Sequence, residues 1–174
     1  MKELMMEATP ENVDKAIEFV DEMLEEYGCG MKEQMAIDVA VDELFANIAH
    51  YAYNPETGFA TVRVDVVKDP LAVEITFVDN GVPYDPLAKA DPDTTLSVED
   101  REIGGLGILI VKKTMDAVNY EYKDGKNILT IKKNISCATD GEGEMDDEDV
   151  TGINGGSAVF GGTTTTDANS KDIV

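Results

Sequence analysis

Tryptophan is absent, cysteine occurs only twice, and basic residues are scarce: 14 Lys and Arg stand against 36 Asp and Glu, a formal net charge of −22. So acidic a chain excludes nucleic acid and anionic membrane as partners for its bulk surface, because both are polyanions. An anionic ligand is still admissible, through backbone amides and one or two well-placed cations. Cys29 and Cys137 lie far apart and in no zinc-type spacing, so neither a metal knuckle nor a disulfide can be argued from them. No apolar run reaches membrane-spanning length, and Met1-Lys2-Glu3-Leu4-Met5-Met6-Glu7 lacks the apolar centre of a signal peptide. The expected compartment is therefore the cytoplasm. At 174 residues the chain suits one domain with a substantial core.

What is present falls into recognisable periods. A short opening segment is a possible strand. Thr9-Pro10-Glu11 reads as an N-cap with Pro in the first turn, and Val13, Ala16, Ile17, Val20 and Leu24 then recur at helical spacing until Gly28-Cys29-Gly30. Residues 31–53 form a longer helical stretch, apolar nearly all round and so expected to be buried. Thr61-Val62-Arg63-Val64-Asp65-Val66 alternates as a half-buried strand, and Leu71-Ala72-Val73-Glu74-Ile75-Thr76-Phe77-Val78 follows as a second. Residues 83–103 are polar and lack periodicity, which inside a compact domain suggests a functional lid or a disordered segment. Gly104-Gly105-Leu106-Gly107 opens a helix through Met115, and residues 118–133 form a closing hairpin around Lys123-Asp124-Gly125-Lys126. The predicted architecture is α+β: a two-layer α/β sandwich with helices packed on one face of a mixed, mainly antiparallel sheet. It occupies residues 1–135. Residues 136–174, first acidic and then rich in Gly and Thr, read as a flexible tail; seven acids and no base fall within residues 140–149.

Three features carry the chemistry. Glu43, Asn47 and His50, spaced by four and three, share one helix face. A carboxylate, an amide and an imidazole on a buried helix each need a polar partner, since unpaired burial costs about 1–3 kcal/mol per group. Asp79-Asn80-Gly81 ends a strand at a residue that allows a sharp turn and close approach of a ligand. The glycines before residue 108 lead backbone amides into a positive helix end, which suits phosphate. Alone each is weak, and the last lacks the Lys-Ser/Thr pair of a P-loop. Together and in this order they describe a closable nucleotide pocket.

In these segments the chain resembles the ATP-binding fold shared by gyrase, Hsp90, histidine kinases and MutL (the Bergerat, or histidine-kinase-like ATPase, fold). Within it the chain is most similar to the small bacterial anti-sigma factor serine-protein kinases. Asp42-Glu43-Leu44-Phe45-Ala46-Asn47-Ile48-Ala49-His50-Tyr51-Ala52-Tyr53 matches the family's N-box. Val78-Asp79-Asn80-Gly81-Val82-Pro83-Tyr84-Asp85-Pro86 matches the first Gly box, with Pro83 where the wider superfamily has a second glycine. Ile103-Gly104-Gly105-Leu106-Gly107-Ile108 matches the second. The resemblance spans roughly residues 5–135. It implies ATP as cofactor with Mg²⁺ held by Asn47, Glu43 as general base, and Asp79 as the adenine reader with Thr130 in support. It also implies backbone contacts to phosphate from Gly104, Gly105, Leu106 and Gly107, nucleotide contacts from His50, Gly81 and Tyr84, and Arg101 stabilising the transferring phosphoryl group. The function it implies is that of an ATP-dependent serine/threonine protein kinase. Such an enzyme phosphorylates a serine on an anti-anti-sigma (STAS-like) antagonist and sequesters a sigma factor, as a homodimer with no direct nucleic-acid contact. The alternatives are a nucleotide-binding switch that works by partner binding alone, and a plain α/β domain whose helix stripe is core packing. No phosphoacceptor-histidine hairpin is present, so His50 is not read as a phosphorylation site.

Overall fold

Among the described residues, five strands and three α-helices follow in nearly the order that periodicity predicts. They are β1 (Lys2–Glu7), α1 (Val13–Glu26), α2 (Met31–Asn47), β2 (Phe59–Lys68), β3 (Leu71–Asp79), α3 (Leu106–Thr114), β4 (Ala117–Lys123) and β5 (Lys126–Asn134). The computed structural model describes residues 1–88 and 106–136, all of them inside one compact unit, Met1–Gly143. Arg101, Gly104 and Gly105, most of the expected lid and nearly all of the expected tail lie outside the described residues.

The sheet order is β1-β2-β3-β5-β4. All four pairings are antiparallel, so the sheet is purely antiparallel where the sequence reading allowed a mixed one. β5 enters between β3 and β4, which leaves those two parallel to each other. Parallel strands need a crossover rather than a hairpin, and α3 lies within that crossover, packed against α2. The connection returns the chain from the end of β3 to the start of α3, beside the end of α2.

Period-two alternation divides the sheet into two faces. Val62 and Val64, Ile75 and Phe77, and Leu129 and Ile131 turn inward against Val20, Leu24, Ile37, Val41, Leu44, Phe45 and Val111 of the helices. The intervening residues form the opposite face, where Glu3, Arg63, Thr76 and Thr130 fall in one register row. Arg63 Nε meets Glu3 Oε2 at 3.0 Å, and the Thr76 and Thr130 hydroxyls lie 3.0 Å apart.

α1 buries Val13, Ala16, Val20, Met23 and Leu24, close to the predicted stripe. It stops at Gly28, whose φ of +63° suits glycine, with Cys29 N–H donating back to Leu24 O. α2 departs from expectation in two ways. It is not buried all round: Met31, Met35 and Val39 are exposed, Met35 by 62%, because a single sheet covers only one side of a helix. Nor does it run as an α-helix to Tyr53. It ends at Asn47 and widens into a π turn, Ile48–Ala52, a feature common at functional sites.

Candidate functional site

The π turn builds the first wall. Its Ala52 carbonyl accepts Val82 N–H at 2.8 Å, and Gly81 presses so closely on Ala52 that a Cβ there would collide with its backbone. Tyr53 follows, its hydroxyl donating to Phe59 O at 2.7 Å and accepting Asn80 N–H at 2.8 Å. Burial pushes the Tyr53 phenol above its ordinary pKa. The Asp79-Asn80-Gly81 turn is thereby clamped to the end of α2.

Asp79 is 4% exposed. Its Oδ1 accepts Gly81 N–H at 2.9 Å and Asn127 Nδ2–H at 2.8 Å; among the described residues no hydrogen bond reaches Oδ2. Asn127 also donates to Val82 O at 3.1 Å, while its Oδ1 accepts Tyr84 N–H at 3.2 Å and Tyr120 OH at 2.7 Å. Burial raises the pKa of the Tyr120 phenol, and the Asp85 and Asp79 carboxylates add to the rise.

These groups enclose a cavity of about 220 Å³. Leu44, Ile48, Ala52, Val82, Ile108 and Leu129 make its apolar walls, and Asn47, Asp79, Tyr120 and Asn127 supply polar groups. A mostly apolar slot with a few convergent polar atoms is the form of a small-molecule site. Glu43, one turn before Asn47, packs its carboxylate onto Gly107, filling the space a Cβ would take there. Gly107 lies in the first turn of α3, so a carboxylate sits at the positive end of that helix. Among the described residues no group of three or more His, Cys, Asp or Glu side chains could hold a metal. A divalent ion at Asn47 would therefore need waters and ligand phosphates to complete its shell, a mode that Mg²⁺ favours.

The predicted residues separate clearly. Asn47, Asp79 and Tyr84 line the cavity, Gly81 shapes its rim, and Glu43 and Gly107 meet beside it. Leu106 opens α3 and is 52% exposed. His50 does not join the stripe: the π turn carries it to an exposed position, its ring 5.9 Å from that of Tyr51. Thr130 lies on the opposite face of the sheet, bonded to Thr76, and does not support Asp79. Asn127 takes that place. Its signal in the sequence was a polar residue in phase with Leu129 and Ile131.

Residues 6–133 match the family model of the histidine kinase-like ATPase domain. The chain belongs to the histidine kinase-like ATPase family. Among curated proteins it is similar to the serine/threonine-protein kinase BtrW of Bordetella bronchiseptica, with 29% identity over 98 residues covering 56% of this chain and 68% of that protein. It is also similar to the serine-protein kinase RsbW of Listeria innocua, with 31% identity over 101 residues covering 55% and 63%. The anti-sigma F factor of Clostridium acetobutylicum is 26% identical over 131 residues, covering 75% and 90%. The chain thus spans less than two thirds of the length of the Listeria relative.

Proposed function

We propose that this chain is an ATP-dependent serine/threonine protein kinase acting as an anti-sigma regulatory factor. Its substrate is a serine on an anti-anti-sigma, STAS-like antagonist, and its second partner is a sigma factor. The observation that carries the reading is the convergence of Glu43, Asn47, Asp79 and Gly107 at one end of the sheet. The relatives' names, serine-protein kinase and anti-sigma F factor, support it.

ATP with Mg²⁺, when bound, supplies the transferable phosphoryl group and neutralises its charge. The chain's own residues do the rest. The apolar walls exclude water from the base, and Asp79 offers an acceptor to its exocyclic amine. The Asn47 amide oxygen, a hard donor, would hold Mg²⁺. Backbone N–H groups at the start of α3 would bind the phosphates, a role that the motif also gives to Gly104 and Gly105. Glu43 takes the proton of the attacking serine hydroxyl as its oxygen bonds to phosphorus and the bond to ADP breaks. Arg101 stabilises the charge of the transferring group. We place the protein in the cytoplasm as a homodimer without nucleic-acid contact; no described helix is long and apolar enough to cross a membrane.

The test combines titration and transfer. A non-hydrolysable ATP analogue is titrated calorimetrically with and without Mg²⁺ into wild type and Asn47→Ala. Phosphotransfer to the antagonist is then followed for wild type and Glu43→Ala. Binding should require Mg²⁺ and vanish in Asn47→Ala, and Glu43→Ala should lose roughly 10²–10⁴-fold in transfer rate. Full transfer by Glu43→Ala would overturn the mechanism. Wild-type binding with no transfer would point instead to a switch that works by partner binding.

A further inference from the structure

We propose that Asn127 is a positioning residue that makes the pocket selective for a 6-amino purine over a 6-keto purine; the proposal rests on the nucleotide reading above. Asn127 is 7% exposed and lines the cavity. A side chain there would ordinarily be expected to touch the ligand, but its bonding leaves nothing to offer. A carboxamide has two donor hydrogens and two acceptor lone pairs. Here both hydrogens are used, on Asp79 Oδ1 and Val82 O, and both lone pairs, by Tyr84 N–H and Tyr120 OH. The amide cannot be turned over, because its oxygen would then face a carboxylate and a carbonyl while its NH₂ faced a backbone N–H.

The consequence falls on Asp79. Gly81 N–H and Asn127 Nδ2–H both hold Oδ1, which leaves Oδ2 as the acceptor a ligand can use. An ionised carboxylate only accepts, so it welcomes an exocyclic amine and repels a keto oxygen. The surrounding walls are largely apolar and give a keto oxygen little alternative. The same amide also bonds Val82 O and Tyr84 N–H, so that its remaining hydrogen and lone pair are spent away from the ligand. One residue with no free hydrogen-bonding group sets the aim of the reading carboxylate.

Calorimetric titration of the full chain with ADP and with IDP, which differ at this purine position, tests the proposal. Wild type should favour ADP by at least about 100-fold, since a site built to hydrogen-bond an N–H rejects an analogue lacking it. Asn127→Asp keeps the shape but sets a carboxylate against Asp79. It should weaken ADP roughly 10- to 100-fold and change IDP by less than about threefold, so that the preference collapses. A merely structural role would weaken both ligands alike. Tyr120→Phe removes one donor to the Asn127 oxygen and should lower the preference by roughly threefold; it decides the matter if Asn127→Asp does not fold. An unchanged ADP-to-IDP ratio in a folded variant overturns the positioning role alone. No ADP binding by wild type overturns the nucleotide reading as well.

Discussion

At the scale of single residues, the structure sets polar groups where they must find partners, and among the described residues one buried atom has none. Asp38 Oδ1, on α2, is buried without a hydrogen-bond partner. The nearest complement, Asp21 on α1, is another acceptor, already engaged by Gln34 Nε2 at 3.0 Å. Burial first, and then the Asp21 charge, raises the Asp38 carboxyl from 3.8 to about 6. The folded state therefore holds a proton that the unfolded chain releases nearer pH 4. The resulting stability is present below that lower value and is lost as pH rises through about 6. Asp38→Asn, neutral at every pH, should be more stable than wild type at pH 7.5 by about 1 kcal/mol, a figure reduced for solvent screening. The gain should fade near pH 4. Chemical denaturation of both proteins across that range checks it, and a gain that does not vary with pH would refute the linkage.

Between elements, the decisive contact is α2 against α3. Glycine is a poor helix residue, about 1 kcal/mol below alanine, yet Gly107 stands in the first turn of α3 because the Glu43 carboxylate occupies its Cβ space. Glu43 is flexible at that end, so Gly107→Ala should fold normally, with a melting temperature equal to or above that of wild type. If Glu43 is the base, as proposed above, the variant should nonetheless lose at least roughly 10²-fold in phosphotransfer, because a misplaced base forfeits its orientation. Loss of fold and activity together would mean that the contact is structural instead. The π turn is the other element-scale device. Had α2 continued as an α-helix, His50 would have stayed beside Asn47; the wider turn instead puts the Ala52 carbonyl where Val82 N–H can reach it.

For the whole molecule, charge dominates. With 14 bases against 36 acids, most carboxylates have no cation to pair with, and the described ion pairs lie at exposed or half-exposed positions. Mutual repulsion at −22 opposes compaction and is screened by salt. Raising NaCl from about 20 mM to about 500 mM should lift the melting temperature by roughly 2–5 °C. Scanning calorimetry at the two concentrations measures this, and no rise would mean that repulsion contributes little to the folded state's free energy.

Periodicity in the sequence anticipated most of the elements and their order, and it pointed to Asn47 and Asp79, which line the cavity, and to Gly107, which meets Glu43. Periodicity and glycine placement act over a few residues, and local backbone geometry obeys them. The sequence was not sufficient for facing. Ile128-Leu129-Thr130-Ile131 is apolar in both phases but for one threonine, so the sheet alone decided that Asn127 looks into the pocket and Thr130 away from it. Likewise no local rule distinguishes an α turn from a π turn after Asn47, or sets Asp38 against Asp21 across two helices. Those outcomes depend on which groups meet once the layers pack, and packing energy is a property of contacts distant in the chain.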